Sequence, residues 1–127
     1  MQFWINLAIV IAIIGAVSAF SYIRVNRAVK KLPYAEFKKN IRSVQLVDVR
    51  ERDEFKYAHI NGARNIPFSQ LTFKYSSLLK DKPIYLCDKN GTVAPRAALT
   101  LKKHGFNDIY MLKNGLQSWE ENLKTKK

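Results

Sequence analysis

One thiol and the loop behind it carry most of the potential chemistry of this sequence. Cys87, the only cysteine, ends the apolar run Pro83-Ile84-Tyr85-Leu86 and opens Cys87-Asp88-Lys89-Asn90-Gly91-Thr92 ahead of a helical stretch. A turn from a strand into a helix N-terminus aims unpaired backbone N–H groups and the positive helix end at one spot. A thiol there is expected to lose its proton more easily than a free cysteine and to act as a nucleophile on an anionic substrate. The same position also suits an inert cysteine, packed as a small hydrophobe at a strand end. Spacing alone leaves both readings open.

The remaining reactive side chains support less. His59 precedes a turn, which suits a hydrogen-bonded scaffold residue, and His104 falls at a helix C-terminus, where a partial positive charge is welcome. Neither has a second histidine, cysteine or carboxylate at ligand spacing, so no metal site is expected, and no cofactor.

The elements that must position Cys87 follow from periodicity. Tyr34-Ala35-Glu36-Phe37 opens a short helix, and Val44 to Val49 is β-branched and nearly all apolar, a strand. Glu51 to Tyr57 reads as a short helix, Ala63 to Ile66 as a short strand closed by Pro67, and Ser69 to Leu79 as a helical stripe. Ile84 to Cys87 is the third strand. Ala94 to His104 forms the clearest helix, with Pro95 in its first turn and Gly105 as its stop. Asp108 to Leu112 is a last strand, and Leu116 to Leu123 a terminal helix carrying Trp119. Short apolar strands alternating with helices predict a small parallel β-sheet flanked by helices, an α/β fold with its ligand site beyond the carboxyl ends of the strands. Cys87 falls at such an end.

Ahead of this domain, Phe3 to Ile23 carries no charge. As a helix it rises about 30 Å, the thickness of a bilayer hydrocarbon core. Residues 1–23 are therefore expected to be a transmembrane anchor, 24–32 a basic juxtamembrane linker, and 33–127 the soluble domain. Val17-Ser18-Ala19 resembles a signal-peptide cleavage site, but the positive n-region is missing. The charges begin at Arg24, Arg27, Lys30 and Lys31, so the positive-inside bias puts the N-terminus outside and the domain in the cytoplasm, single-pass in the cell membrane. One unpaired cysteine agrees with a reducing compartment. The chain has 22 basic and 10 acidic residues, a net charge of +12. Its lysines are scattered over helix surfaces rather than gathered in a stripe, so anionic membrane lipid is the expected partner and nucleic acid is not.

Two runs give the domain a family resemblance. Asp48-Val49-Arg50 with Glu54-Phe55, followed by His59-Ile60-Asn61-Gly62-Ala63-Arg64-Asn65-Ile66-Pro67, resembles the first signature of the rhodanese family of single-domain sulfurtransferases. Tyr85-Leu86-Cys87, Arg96-Ala97-Ala98, Lys103-His104-Gly105-Phe106 and Leu112-Lys113-Asn114-Gly115-Leu116 through Trp119 are similar to its second half. The resemblance implies sulfane-sulfur transfer. The Cys87 thiolate would attack the outer sulfur of a small donor anion such as thiosulfate, or of a persulfide, and pass that sulfur from its own persulfide to a thiol acceptor, including a protein. Backbone N–H groups from Asp88, Lys89, Asn90, Gly91, Thr92 and Val93 would hold the persulfide and the departing anion. Lys89 would add a cation. Asp48, Arg50, Glu54 and His59 are expected to support the surrounding loops by pairing and capping.

The loop departs from the family pattern, which places Gly three residues after the cysteine and an Arg-Ser pair two and three residues later. Here Gly91 is four after Cys87, Val93-Ala94 stands in place of Arg-Ser, and Asp88 puts a negative charge beside the thiol. The related phosphatases need an arginine six residues after the cysteine, where this chain has Val93. The alternative to a sulfurtransferase is a catalytically inactive rhodanese-like module that binds or regulates at the membrane.

Overall fold

The computed structural model describes residues 1–125, with side chains through Glu120. Five strands form one sheet: β1 (Lys30–Leu32), β2 (Gln45–Asp48), β3 (Arg64–Asn65), β4 (Ile84–Cys87) and β5 (Ile109–Leu112). Their order is β1-β5-β4-β2-β3 and every pairing is parallel. The helices are α1 (Gln2–Arg27), α2 (Tyr34–Lys39), α3 (Arg52–Tyr57), α4 (Leu71–Lys74), α5 (Ala94–Lys103) and α6 (Gly115–Thr125). The expected parallel α/β architecture is present.

A strand turns successive side chains to opposite faces, and each face has its own core. Val47, Ile84, Leu86, Ile109 and Met111 pack with Ala94, Ala97, Ala98 and Leu101 of α5 on one face. Leu46, Tyr85, Cys87 and Leu112 pack with Phe37 of α2 and Leu116 of α6 on the other. Leu86 and Cys87 are adjacent in sequence yet belong to different layers.

Two sequence expectations change. The basic stretch 24–32 is not a loose connection: α1 runs on through Arg27, Ala28 and Val29 are buried, and Lys30–Leu32 pair with Tyr110–Leu112 as an edge strand. Three residues containing two lysines show no strand periodicity, and lysine on an edge strand is a common guard against unwanted pairing. The helical stripe from Ser69 to Leu79 is broken into a 3-10 turn at Phe68–Gln70, a single α turn at Leu71–Lys74 and a second 3-10 turn at Tyr75–Ser77. Ser77 Oγ donates to Lys74 O at 3.0 Å, the local side-chain bonding that competes with a continuous helix.

α1 is long and apolar enough to cross a membrane, by length and composition. Its large apolar side chains, Trp4, Ile9, Ile13 and Phe20 among them, are exposed along its length.

Candidate functional site

The site lies at the carboxyl ends of β2 and β4, neighbours in which Asp48 pairs with Cys87 in register. After β2, Asp48 is fully buried and accepts the Arg50 backbone N–H through Oδ1 at 3.0 Å. The Arg50 guanidinium grips the same carboxylate, with Nε 3.1 Å from both oxygens and Nη2 2.9 Å from Oδ2. Arg50 Nη2 also donates to Ala58 O at 2.6 Å, tying the end of α3 to the strand. The fork geometry matches a carboxylate bidentately, so the buried charge is paired and hydrogen-bonded together.

Sequence reasoning overlooked Asn65 here. Its side-chain amide donates to Asp48 O at 3.0 Å and Arg50 O at 2.9 Å, stapling β3 to the turn after β2. Its place in the His59-to-Pro67 run was the available signal. Glu54 is exposed in the first turn of α3 and makes no ion pair among the described residues. His59 is exposed, with Nδ1 2.7 Å from Phe55 O and its ring stacked on Phe55 at 3.8 Å, and it lines a cavity with Lys38, Arg42 and Trp119 that contains no residue of the loop after β4.

The expectation of an accessible, acidified thiol is corrected at Cys87. Strand alternation turns its side chain toward α2 and α6, onto the face opposite α5, where it has 0 % exposure. Sγ lies 3.7 Å from Val47 O, its hydrogen-bond acceptor. Burial pushes the thiol well above its ordinary pKa, and the nearby Asp48 carboxylate raises it further, whereas Arg50 acts in the opposite sense. Asp88 raises it as well, by the smallest contribution. The helix-end field expected to lower that pKa belongs to α5, which packs on the opposite face of the sheet.

The next residue faces that field. Asp88 is 1 % exposed, and its carboxylate lies within the turn. Oδ1 accepts the N–H of Gly91 at 2.8 Å, and Oδ2 accepts those of Val93 at 2.8 Å and Ala94 at 2.9 Å. Val93 is the N-cap of α5 and Ala94 its first residue, so Asp88 satisfies donors that a helix start leaves unpaired. Pro95 contributes no donor. Thr92 turns instead to Asn90 Oδ1, through its N–H at 3.3 Å and its hydroxyl at 2.7 Å. Among the residues expected to hold an anion with their N–H groups, Gly91 and Val93 therefore hold one supplied by the chain. Ala94, outside the expected set, joins them. Lys89 is exposed at the loop surface.

A second helix start holds the loop from behind. Leu116 N–H donates to Asp88 O at 2.7 Å and Gln117 N–H to Lys89 O at 3.2 Å. Gly115 permits this approach: it has φ +62°, and a Cβ there would lie 2.6 Å from Asp88 O and 2.7 Å from Asn90 N. In front of the loop is a cavity of about 300 Å³ lined by Arg50, Glu51, Glu54, Phe68, Lys89 and Val93 among others. No cluster of metal-ligating side chains occurs among the described residues.

Comparison with known proteins places this arrangement. A family model described as a rhodanese-like domain matches residues 33–122. The Bacillus subtilis protein YqhL is 46% identical over 107 residues, covering 84% of this chain and 85% of its own length. The thiosulfate sulfurtransferase GlpE of Shewanella oneidensis is 31% identical over 104 residues, covering 82% and 96%. A crystal structure of a rhodanese-related protein from Thermoplasma volcanium superposes with a TM-score of 0.68 at 31% identity, covering 73% of this chain and 92% of that one. The parallel sheet, the loop between β4 and α5 and these matches together make the chain a member of the rhodanese-like family.

Proposed function

We propose that this chain is a membrane-anchored rhodanese-like module whose β4–α5 loop recognises a partner and does not transfer sulfur. One observation carries the reading: Asp88, not Cys87, presents its side chain to the N–H groups of the loop. Counted from Asp88, Gly91 is three residues on and Val93-Ala94 five and six, the family spacing of glycine and Arg-Ser measured from the nucleophile. The loop then has no extra residue, and a carboxylate stands where the thiolate would. A carboxylate oxygen does not form the sulfur–sulfur bond of a persulfide, and its charge repels an incoming donor anion.

The anchor is α1, with its N-terminus outside and the domain in the cytoplasm, as the basic residues after Ile23 indicate. Gly91 and Thr92 share a cavity with Ser18, Ser21 and Tyr22 of α1, which supports a partner met at the membrane surface.

Sulfur transfer through Cys87, from thiosulfate or a persulfide to a thiol acceptor, is the second reading, favoured by the name and activity of the Shewanella relative. It requires Cys87 to leave the core. Intact mass of the full chain in detergent, after incubation with thiosulfate and separately with a low-molecular-weight persulfide, decides between them. The binding module gains no sulfur from either donor. A one-sulfur gain that disappears in Cys87→Ser would overturn the proposal and restore the sulfurtransferase.

A further inference from the structure

We infer that the seam between α1 and α5 contains a binding site for the phosphate headgroup of an anionic lipid, built jointly by the anchor and the domain. The inference rests on α1 spanning the membrane. The seam is formed without slack: only Ala28 and Val29, both buried, separate α1 from β1. Val17 and Ser18 share a cavity with Pro95 and Arg96, whereas Arg24 and Arg27 share one with Lys102 and Lys103. The two helices therefore run in the same direction, and the loop end of α5 faces the membrane side.

On the loop side of the seam is a cavity of about 600 Å³. Arg96 and Lys31 bring two cations to it, and neither makes an ion pair among the described residues. Ser18, Ser21, Tyr22 and Thr92 bring hydroxyls, and no acidic side chain lines it. Along α1, residues 18, 21, 22 and 26 fall at helical spacing on one stripe, so the uncharged polar positions in the last turns of the helix turn toward this cavity, while Arg24 and Arg27 line the other. Val17, Val25 and Pro95 supply apolar lining.

Position selects the ligand. The charge-free stretch of α1 ends at Ile23, so the cavity lies at the depth where a spanning helix passes from hydrocarbon to headgroups, with Tyr22 as an interfacial aromatic. A lipid phosphate would meet Arg96 and Lys31, its glycerol would meet the hydroxyls, and its acyl chain would continue over Val17. Cations in the last turns of α1 and α5 are also expected from the helix dipoles alone. Arg96 and Lys31 are not: Arg96 is in the first turn of α5, where a cation is disfavoured, and Lys31 is in a strand.

The test reconstitutes the full chain into phosphatidylcholine nanodiscs with and without phosphatidylglycerol and counts retained lipid by native mass spectrometry. The wild type is expected to retain phosphatidylglycerol in preference to phosphatidylcholine. Arg96→Gln with Lys31→Gln should weaken retention by about tenfold or more, given the attraction of each cation near anionic headgroups. Lys38→Gln with Arg42→Gln, at a different cavity bordered by α2, should leave it unchanged. Equal losses in the two double variants would overturn the site in favour of diffuse charge. Displacement by inorganic phosphate would reassign it to a free anion. Alkaline carbonate extraction of vesicles separates the two levels: release of the wild type defeats the spanning reading, and retention without bound phosphatidylglycerol defeats the site alone.

Discussion

The ends of β2 and β4 each bury a carboxylate, and they stabilise it by different means. Asp48 is held by a side chain, the Arg50 guanidinium, at 2.9–3.1 Å. Asp88 is held by backbone alone, through the N–H groups of Gly91, Val93 and Ala94 at 2.8–2.9 Å. The first arrangement neutralises a charge and ties α3 to the sheet. The second fills an anion-binding turn with an anion from the chain. A backbone cradle of N–H donors can hold any acceptor of suitable charge and reach, whereas a guanidinium fork matches the two oxygens of a carboxylate.

That difference can be tested from both sides. The largest expected change is one of kind: Asp88→Cys puts a thiol into the intact cradle, where the helix start favours its thiolate. This variant is expected to gain one sulfur from a persulfide donor in an intact-mass experiment that leaves the wild type unmodified. Failure of the correctly folded variant to gain sulfur would show that the cradle alone does not activate a thiol.

On the β2 side, Arg50→Ala leaves Asp48 buried and unpaired, at a cost of about 3–5 kcal/mol, measured by chemical denaturation of the detergent-solubilised chain. Asp88→Ala removes one acceptor group from three N–H donors, but the charge goes with it, so no buried ion is left uncompensated. Its expected cost is smaller, about 2 kcal/mol. A larger loss for Asp88→Ala than for Arg50→Ala would reverse the ranking of the two sites.

The smallest effect concerns Cys87. Its pKa is higher in the folded chain because burial disfavours the thiolate. Above the unfolded value of about 8.5 the unfolded state binds fewer protons than the native state, so stability is full below that pH and falls as pH rises. Cys87→Ala should lack this alkaline decline, read as a pH-independent difference from the wild type below about pH 8 that narrows above it. Iodoacetamide should label the wild-type thiol slowly in the native state and rapidly in denaturant. Fast native labelling with a low pH midpoint would restore Cys87 as an activated nucleophile.

Much of the fold was legible in order. The charge-free N-terminal stretch, the apolar β2, β4 and β5, and the helix after the loop each have a local pattern strong enough to read. Asp48 and Arg50 were legible as partners because two residues at a strand end meet whatever surrounds them. Glu54 was less so, since whether a helix residue reaches a neighbouring loop depends on the angle at which that helix leaves the sheet. β1 was hidden because its pairing partner β5 is distant in sequence and two of its three residues are lysines.

The chain order of residue types determined a parallel α/β domain behind a long apolar helix, with a chemically special turn after the strand that ends at Cys87. It left open which of two adjacent residues enters that turn. Strand alternation makes the answer depend on a single step of register. Only the pairing of β4 with β2 and β5, and the packing of α5 on one face of the sheet, turned Cys87 into the core and Asp88 into the cradle. Those contacts are long-range, and no local pattern contains them.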